Sequence, residues 1–205
     1  MTVLSDKFDF IPAKVWSREE VLSRQCPVPP VKGVYFWWFK SLPPMVPVAE
    51  TAISDGMHLL YVGISPDIKG KPNSKANLRT RIKTHYRGNA EGSTLRRTLG
   101  ILLETESGYP LTRVGSGKRL TFTHMGEQWL DRWMGQNAYV SWIQHDQPWI
   151  LEDALIASTS LPLNIKGNQH PFRTKLSELR KSALYRARES EIADESGTKR
   201  NTQLP

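Results

Sequence analysis

Runs of apolar residues alternate with proline-rich and polar segments along the 205-residue chain, and these runs predict three strands. Residues 33–40 and 59–64 are β-branched and aromatic almost throughout, a composition typical of strands that are buried on both faces. Residues 138–144 alternate apolar with polar side chains, which predicts a third strand. Prolines and polar residues predict a long loop between the first two strands, which should therefore pair antiparallel.

Apolar positions with helical spacing predict helices elsewhere in the chain. Leu78, Ile82 and Tyr86 form an apolar stripe that begins behind a plausible cap, Asn77. Further helices are expected at residues 17–24, 95–103, 127–134, 148–158 and 173–188. The order of the elements predicts an α+β fold, with a small three-stranded antiparallel sheet flanked by helices and a basic helix near the C-terminus.

Composition narrows the class of protein. With 39% hydrophobic and 23% charged residues, the chain is typical of a soluble globular protein. The longest uninterrupted apolar stretch, residues 34–39, is far shorter than the roughly 20 residues of a membrane-spanning helix, so no membrane partner is expected. The first residues lack a secretory pattern, and a single cysteine, Cys26, cannot form an internal disulfide. The predicted location is the cytoplasm.

Positive charge is concentrated in one part of the chain. The 28 Lys and Arg residues exceed the 20 Asp and Glu residues and leave a net charge of +8. Residues 66–119 contain 12 basic and 4 acidic residues, which accounts for the whole excess. A basic block of this kind is typical of proteins that bind phosphates, and it is also compatible with a solvated surface.

Five landmarks occur in order on the predicted elements. They are Gly33-Val34-Tyr35 in the first strand, Tyr61-Val62-Gly63 in the second, Arg81 with His85 four residues later on a helix, Glu152 on a later helix, and Asn164 twelve residues beyond it. In order and spacing these landmarks resemble the GIY-YIG nuclease family, over residues 31–172. Residues 88–97 and 161–164 are similar to an uncharacterised bacterial branch of that family.

The resemblance implies a catalytic domain at residues 31–172, with an extension at residues 1–30 and a C-terminal helix and disordered tail at residues 173–205. It also implies a metal-dependent endonuclease, a phosphodiester hydrolase that uses Mg²⁺ or Mn²⁺. DNA is the expected partner, with RNA and single-stranded DNA left open, as is the oligomeric state. The implied catalytic residues are Tyr35, Tyr61, Arg81, His85 and Asn164, and the implied metal ligand is Glu152.

These residue types suit the chemistry. Hydrolysis of a phosphodiester needs a deprotonated water and neutralisation of charge on the phosphate oxygens. A phenol is a poor base unless a cation lowers its pKa, which Arg81 and a metal ion could do. One carboxylate, that of Glu152, matches Mg²⁺, whose other ligands are then phosphate and water. We therefore expect Tyr35 to activate water, Arg81 to stabilise the phosphorane and Asn164 to brace the site.

Basic side chains near the landmarks predict contacts with the nucleic-acid backbone. Arg79, Lys83 and Arg87 recur every four residues on a second stripe of the same helix, and Arg96 and Arg97 follow on the next helix. The alternative is a non-catalytic module that uses a nuclease-like fold to bind nucleic acid. Dependence on Mg²⁺ separates the two functions, because binding alone should survive chelation.

Overall fold

The computed structural model describes residues 12–67, 74–195 and 199–200. In chain order its elements are α1 (Arg18–Leu22), β1 (Gly33–Phe39), β2 (Ile53–Ser54), β3 (Met57–Ser65), α2 (Leu78–Arg87), α3 (Thr94–Leu102), α4 (Glu104–Ser107), β4 (Thr112–Val114), β5 (Arg119–Thr121), α5 (His124–Asn137), β6 (Ala138–Gln144), α6 (Pro148–Ser158) and α7 (Phe172–Glu189). The described part of the chain contains no helix that is long and apolar enough to span a bilayer.

The central sheet has four strands, so the prediction of three was wrong. Its strands are antiparallel and follow the order β2-β3-β1-β6, while β4 and β5 form a separate hairpin. The strand that the prediction lacked is β2, which turns into β3 through Asp55 and Gly56. Both residues have positive φ, of 49° and 72°, as an Asp-Gly hairpin turn requires. The predicted α+β class is confirmed.

Strand β1 lies between β3 and β6, and all seven of its residues are buried. Tyr35, Trp37 and Phe39 belong to a large core that also contains apolar side chains of α2, α5 and α7. The alternate side chains belong to a smaller core that includes residues of α6. Burial on both faces explains why the sequence of β1 is continuously apolar. It also places Tyr35 on the side of the sheet that α2 covers.

Helix α2 begins and ends where its sequence predicts. Asn77 caps the first turn by accepting a hydrogen bond from the Thr80 amide, and the helix ends at Gly88. Its apolar stripe, Leu78, Ile82 and Tyr86, is fully buried in the large core. Because Arg81 and His85 are four residues apart, they share the helix face that turns toward Tyr35.

Both predicted flanking segments pack against the central part of the chain. Trp16 exchanges two backbone hydrogen bonds with Val140 of β6, at 2.8 and 3.0 Å. Near the other end, the Ala193 amide donates to the Arg113 carbonyl at 2.8 Å. Of the tail that was expected to be disordered, residues 196–198 and 201–205 lie outside the described chain, and its disorder stays a prediction.

Candidate active site

Two tyrosines lie side by side where β1 and β3 pair. Tyr35 is in register with Gly63, and Tyr61, two residues before Gly63, lies on the same face of the sheet. Tyr35 is only 1% exposed and Tyr61 is half-buried, and both line a cleft of about 940 Å³. Charge on either phenol acts on the other, so the two hydroxyls belong to one electrostatic site.

Gly63 provides the space that the Tyr35 ring occupies. A Cβ atom at this position would lie 2.5 Å from the Tyr35 hydroxyl oxygen and 2.6 Å from the ring carbon that carries it. A glycine is therefore required opposite Tyr35 for the ring to lie flat across the neighbouring strand. The glycine of the second landmark thus has a direct physical role in positioning the tyrosine of the first.

The Tyr35 hydroxyl is the meeting point of the polar groups. His85 Nε2 lies 2.9 Å from it, and Arg81 Nε donates to it at 3.4 Å. Arg81 Nη1 also donates to the Gly92 carbonyl at 2.9 Å, and His85 Nδ1 lies 2.7 Å from Ser93 Oγ. Each of the two α2 side chains is thus anchored at one end and contacts Tyr35 at the other. The sequence analysis did not predict the contact between Ser93 and His85.

The ionisation of these groups follows from their burial. Burial raises the pKa of Tyr35 above its ordinary value, although the charge of Arg81 opposes this effect. Burial likewise raises the pKa of Tyr61, and the negative charge of Glu152 raises the pKa of both phenols. Burial, followed by the charges of Arg81 and Arg96, lowers the pKa of His85 well below its usual value. The resting site therefore contains neutral phenols and a neutral imidazole beside the guanidinium of Arg81.

Glu152 and Asn164 reach the same cleft from α6 and from the loop after it. Glu152 is half-buried and close enough to influence both phenols. Asn164 is buried, and its side-chain amide makes two hydrogen bonds to the backbone of Val62 in β3. Oδ1 accepts from the Val62 amide at 2.9 Å, and Nδ2 donates to the Val62 carbonyl at 2.8 Å. This pair of bonds fixes the strand next to Tyr61. Five of the six predicted catalytic and metal-binding residues therefore line one cleft, and the sixth, His85, is fully buried and contacts the Tyr35 hydroxyl.

The family model of the GIY-YIG catalytic domain matches residues 33–182, most of the chain. The chain belongs to the GIY-YIG family. The match begins with the first residue of β1 and ends inside α7, so it contains every landmark of the cleft. Membership supports a nuclease-like function that acts on nucleic acid. No match was found among curated proteins or among solved structures.

The basic residues predicted to contact nucleic acid differ in how far the GIY-YIG domain exposes them to solvent. Arg87 is exposed, and Arg79, Lys83 and Arg97 are half-buried. Arg79 also donates to the Val28 carbonyl at 2.6 Å, which ties α2 to the segment before β1. These four residues remain available to a ligand on at least part of their surface.

Arg96 does not belong to this set of surface residues, because it lies inside the protein. It is fully buried and pairs with Glu127 at 2.6 Å and with Asp131 at 2.7 Å. A guanidinium that is enclosed by two carboxylates has no surface to offer to a phosphate. The sequence shows only adjacent arginines, whereas the partners of Arg96 come from α5, whose approach to α3 is a tertiary feature.

Arg180 is a cleft residue that sequence reasoning missed. It lines the cleft from α7, and its charge acts on Tyr61. The sequence interpretation placed α7 outside the catalytic domain, whereas the GIY-YIG match extends through residue 182. The sequence did contain a signal for this position. Arg180 lies next to the apolar stripe that includes Leu176 and Ala183, so it is near the side of α7 that packs against the domain.

Proposed function

We propose that this GIY-YIG domain is a metal-dependent endonuclease that hydrolyses phosphodiester bonds in DNA. The observation that carries the proposal is the Tyr35 hydroxyl, which contacts both Arg81 and His85 at a cleft that Glu152 also lines. One site thereby holds a proton carrier, a fixed cation and an acid that can bind a metal. These are the groups that attack on a phosphodiester requires.

Arg81 binds the phosphate that is cleaved. Its guanidinium is fixed by the Gly92 carbonyl and by Tyr35, so its position changes little when the substrate arrives. A preorganised cation stabilises the extra negative charge of the pentavalent phosphorane more than that of the substrate, and this difference lowers the barrier. Arg81 also favours the phenolate form of Tyr35, since its charge opposes the effect of burial on the Tyr35 pKa.

Tyr35 and His85 form the path by which the attacking water loses its proton. With hydrogen on Nδ1, His85 donates to Ser93 Oγ, and its Nε2 accepts from the Tyr35 hydroxyl. As water attacks, it passes a proton to Tyr35, and Tyr35 passes its own proton to His85. The negative charge that develops on the phosphorane favours the imidazolium at this moment and opposes the burial and arginine charges that lower the pKa of His85 in the resting site. This relay suits a phenol of raised pKa, because Tyr35 never has to persist as a phenolate. Tyr61, which is more exposed, orients the water.

The residues of the cleft fit a hard divalent cation such as Mg²⁺ or Mn²⁺. The described residues include no group of three His, Cys, Asp or Glu side chains that could enclose an ion. Mg²⁺ needs no such cage, since one carboxylate with phosphate oxygens and water completes its coordination. Glu152 would hold it, and the bound cation would supply positive charge at the phosphate. Asn164 keeps the neighbouring strand β3 in place.

Metal dependence tests the proposal. With Mg²⁺ the wild-type protein should nick supercoiled plasmid, and with EDTA it should bind the same DNA without cutting it. Glu152→Gln should slow single-turnover cleavage about a hundredfold or more, because the variant loses the anionic metal ligand but not its shape. Glu178→Gln is the matched control: Glu178 is an exposed glutamate of α7 that does not line the cleft, so its variant should cut normally.

Two outcomes would contradict the proposed function. Cleavage at the same rate in EDTA would remove the metal from the mechanism. The second outcome is a protein that binds nucleic acid but cleaves neither duplex DNA, single-stranded DNA nor RNA with Mg²⁺ or Mn²⁺. It would favour the non-catalytic binding module instead.

Gly63→Ala is expected to lower both activity and stability. The added methyl group must displace the Tyr35 ring, and a displacement near 1 Å costs on the order of a hundredfold in rate. Overpacking should lower the free energy of unfolding by about 1–3 kcal/mol. Plasmid nicking and urea denaturation measure the two effects.

Gly56→Ala is the control for this variant. It strains the turn between β2 and β3, where φ is 72°, and should cost about 1–2 kcal/mol without moving Tyr35. It should therefore be destabilised but active. A Gly63→Ala protein that cuts at the wild-type rate would show that the close fit of Tyr35 against β3 is not needed.

A further inference from the structure

Arg180 enters the cleft from an element that carries none of the family landmarks. It lies near the middle of α7, four residues after the buried Leu176 and three before the buried Ala183. Its side chain is half-buried and lines the cleft together with Tyr61 and Glu152. The helix thus delivers a second guanidinium to the cleft that contains Arg81.

Arg180 has a neighbour of like charge, Arg97. The charge of Arg97, on α3, acts on Arg180, and α3 packs against α7. Within residues 12–67, 74–195 and 199–200, neither arginine forms an ion pair with a carboxylate, and the buried Nε atom of Arg97 has no hydrogen-bond partner. Further along α7, by contrast, Arg186 pairs with Glu104 at 2.8 Å.

Two half-buried guanidiniums that form no ion pair with a described carboxylate destabilise the folded protein, although the charge of Glu91 partly offsets the burial of Arg97. Burial first, and the charge of Arg97 second, lowers the pKa of Arg180, and burial lowers the pKa of Arg97. An arginine with a purely structural role is expected to resemble Arg96, whose buried guanidinium is enclosed by carboxylates and carbonyls. An anion placed between Arg97 and Arg180 would relieve the repulsion. Guanidinium groups match a phosphate especially well, because each can donate two parallel hydrogen bonds.

We propose that Arg97 and Arg180 together bind a backbone phosphate adjacent to the one that is cleaved. This inference rests on the proposed function, since Arg81 and Tyr35 mark the cleaved phosphate. Arg81 reaches the cleft from α2 and contacts Tyr35, Arg180 reaches it from α7, and the charges of both act on Tyr61. A nucleic-acid strand whose cleaved phosphate lies at Arg81 would therefore pass Tyr61 on its way to α7. The substrate is accordingly a polynucleotide strand with consecutive phosphates, and α7 is part of the site that holds it.

The salt dependence of binding tests this phosphate site. The dissociation constants of full-length wild-type and Arg180→Gln proteins are measured in EDTA over a range of NaCl concentrations. The probes are a short labelled DNA duplex and single-stranded DNA and RNA of the same sequence. Loss of one phosphate contact should weaken binding about tenfold and reduce the slope of log K against log salt by about 0.9 on duplex DNA or 0.7 on a single strand. The melting temperature should not fall, because Arg180 has no ion pair to lose.

Lys181→Gln is the matched control, since it removes one positive charge from the exposed neighbouring position of the same helix. It should change the affinity less than about twofold and leave the slope unaltered. Arg97→Gln should repeat the effect of Arg180→Gln, and the double variant should bind little worse than either single variant, because both residues hold one phosphate.

The outcomes separate this inference from the proposed function. If log K falls with log salt at the same slope for Arg180→Gln and Lys181→Gln, while the wild-type protein cuts DNA with Mg²⁺, the phosphate site is wrong and the proposed endonuclease function is unaffected. The expected loss of slope in a wild-type protein that never cuts would support the phosphate site and overturn the endonuclease. A wild-type protein that binds none of the probes would overturn both.

Discussion

Tyr35→Phe is expected to slow cleavage by a factor of about a hundred to ten thousand, the range that general acid–base groups contribute. The variant loses the one atom that contacts both Arg81 and His85, so the attacking water has no route to His85 and Arg81 loses a contact that orients it. The ring itself stays packed against Gly63 in the core. Single-turnover cleavage of plasmid with saturating enzyme and Mg²⁺ measures the chemical step.

Stability must be monitored alongside activity, because the substitution leaves His85 Nε2 without its phenolic partner in a buried place. An unpaired buried polar group costs about 1–3 kcal/mol. Tyr86→Phe is the matched control: Tyr86 is also a fully buried tyrosine, and its hydroxyl donates to the Ala138 carbonyl at 2.8 Å, away from the cleft. It should lose comparable stability and keep its activity. Equal activity losses in the two variants would indicate that Tyr35 has only a structural role.

The sequence predicts those parts of the site that depend on residues close to one another along the chain. The aromatic run of β1, the cap Asn77 and the four-residue spacing of Arg81 and His85 are local signals, and each led to the element that the structure contains. The short strand β2 escaped because it has only two residues. Its Asp-Gly turn was the one clue within a segment that proline and polar residues marked as loop.

Burial was harder to predict than position. Adjacent arginines at 96 and 97 have the same appearance in the sequence, yet Arg96 is enclosed by carboxylates while Arg97 lies beside Arg180. Helical rotation between consecutive residues is about 100°, so neighbours on a helix face different surroundings. Only the packing of α3 against α5 and α7 decides which arginine meets an acid and which lies within reach of the charge of Arg180. The same packing brings Arg180 to a site whose landmarks end at Asn164.

Arg96→Met is expected to lower the free energy of unfolding by about 3–5 kcal/mol without leaving a large cavity. It leaves the buried Glu127 without its arginine partner and removes one of the three arginines that pair with Asp131, the others being Arg18 and Arg200. Glu127 and Asp131 are 2% and 1% exposed, and Arg96 is the residue that joins them. Arg96 Nη1 also donates to the carbonyls of His85 and Tyr86, so its loss loosens the end of α2. Urea denaturation, with plasmid nicking of the folded fraction, measures both consequences.

Arg119→Met serves as the control, since Arg119 pairs with Glu91 at 3.0 Å while about half of each side chain is exposed to solvent. Such a surface pair contributes roughly 1 kcal/mol or less. The contrast between the two variants decides where Arg96 acts. If Arg96→Met were as stable as Arg119→Met and instead showed a reduced salt dependence of DNA binding, Arg96 would belong to the nucleic-acid surface that its sequence first indicated. A large loss of stability with an unchanged salt slope, by contrast, makes Arg96 the residue that holds α2 and its two catalytic side chains in place.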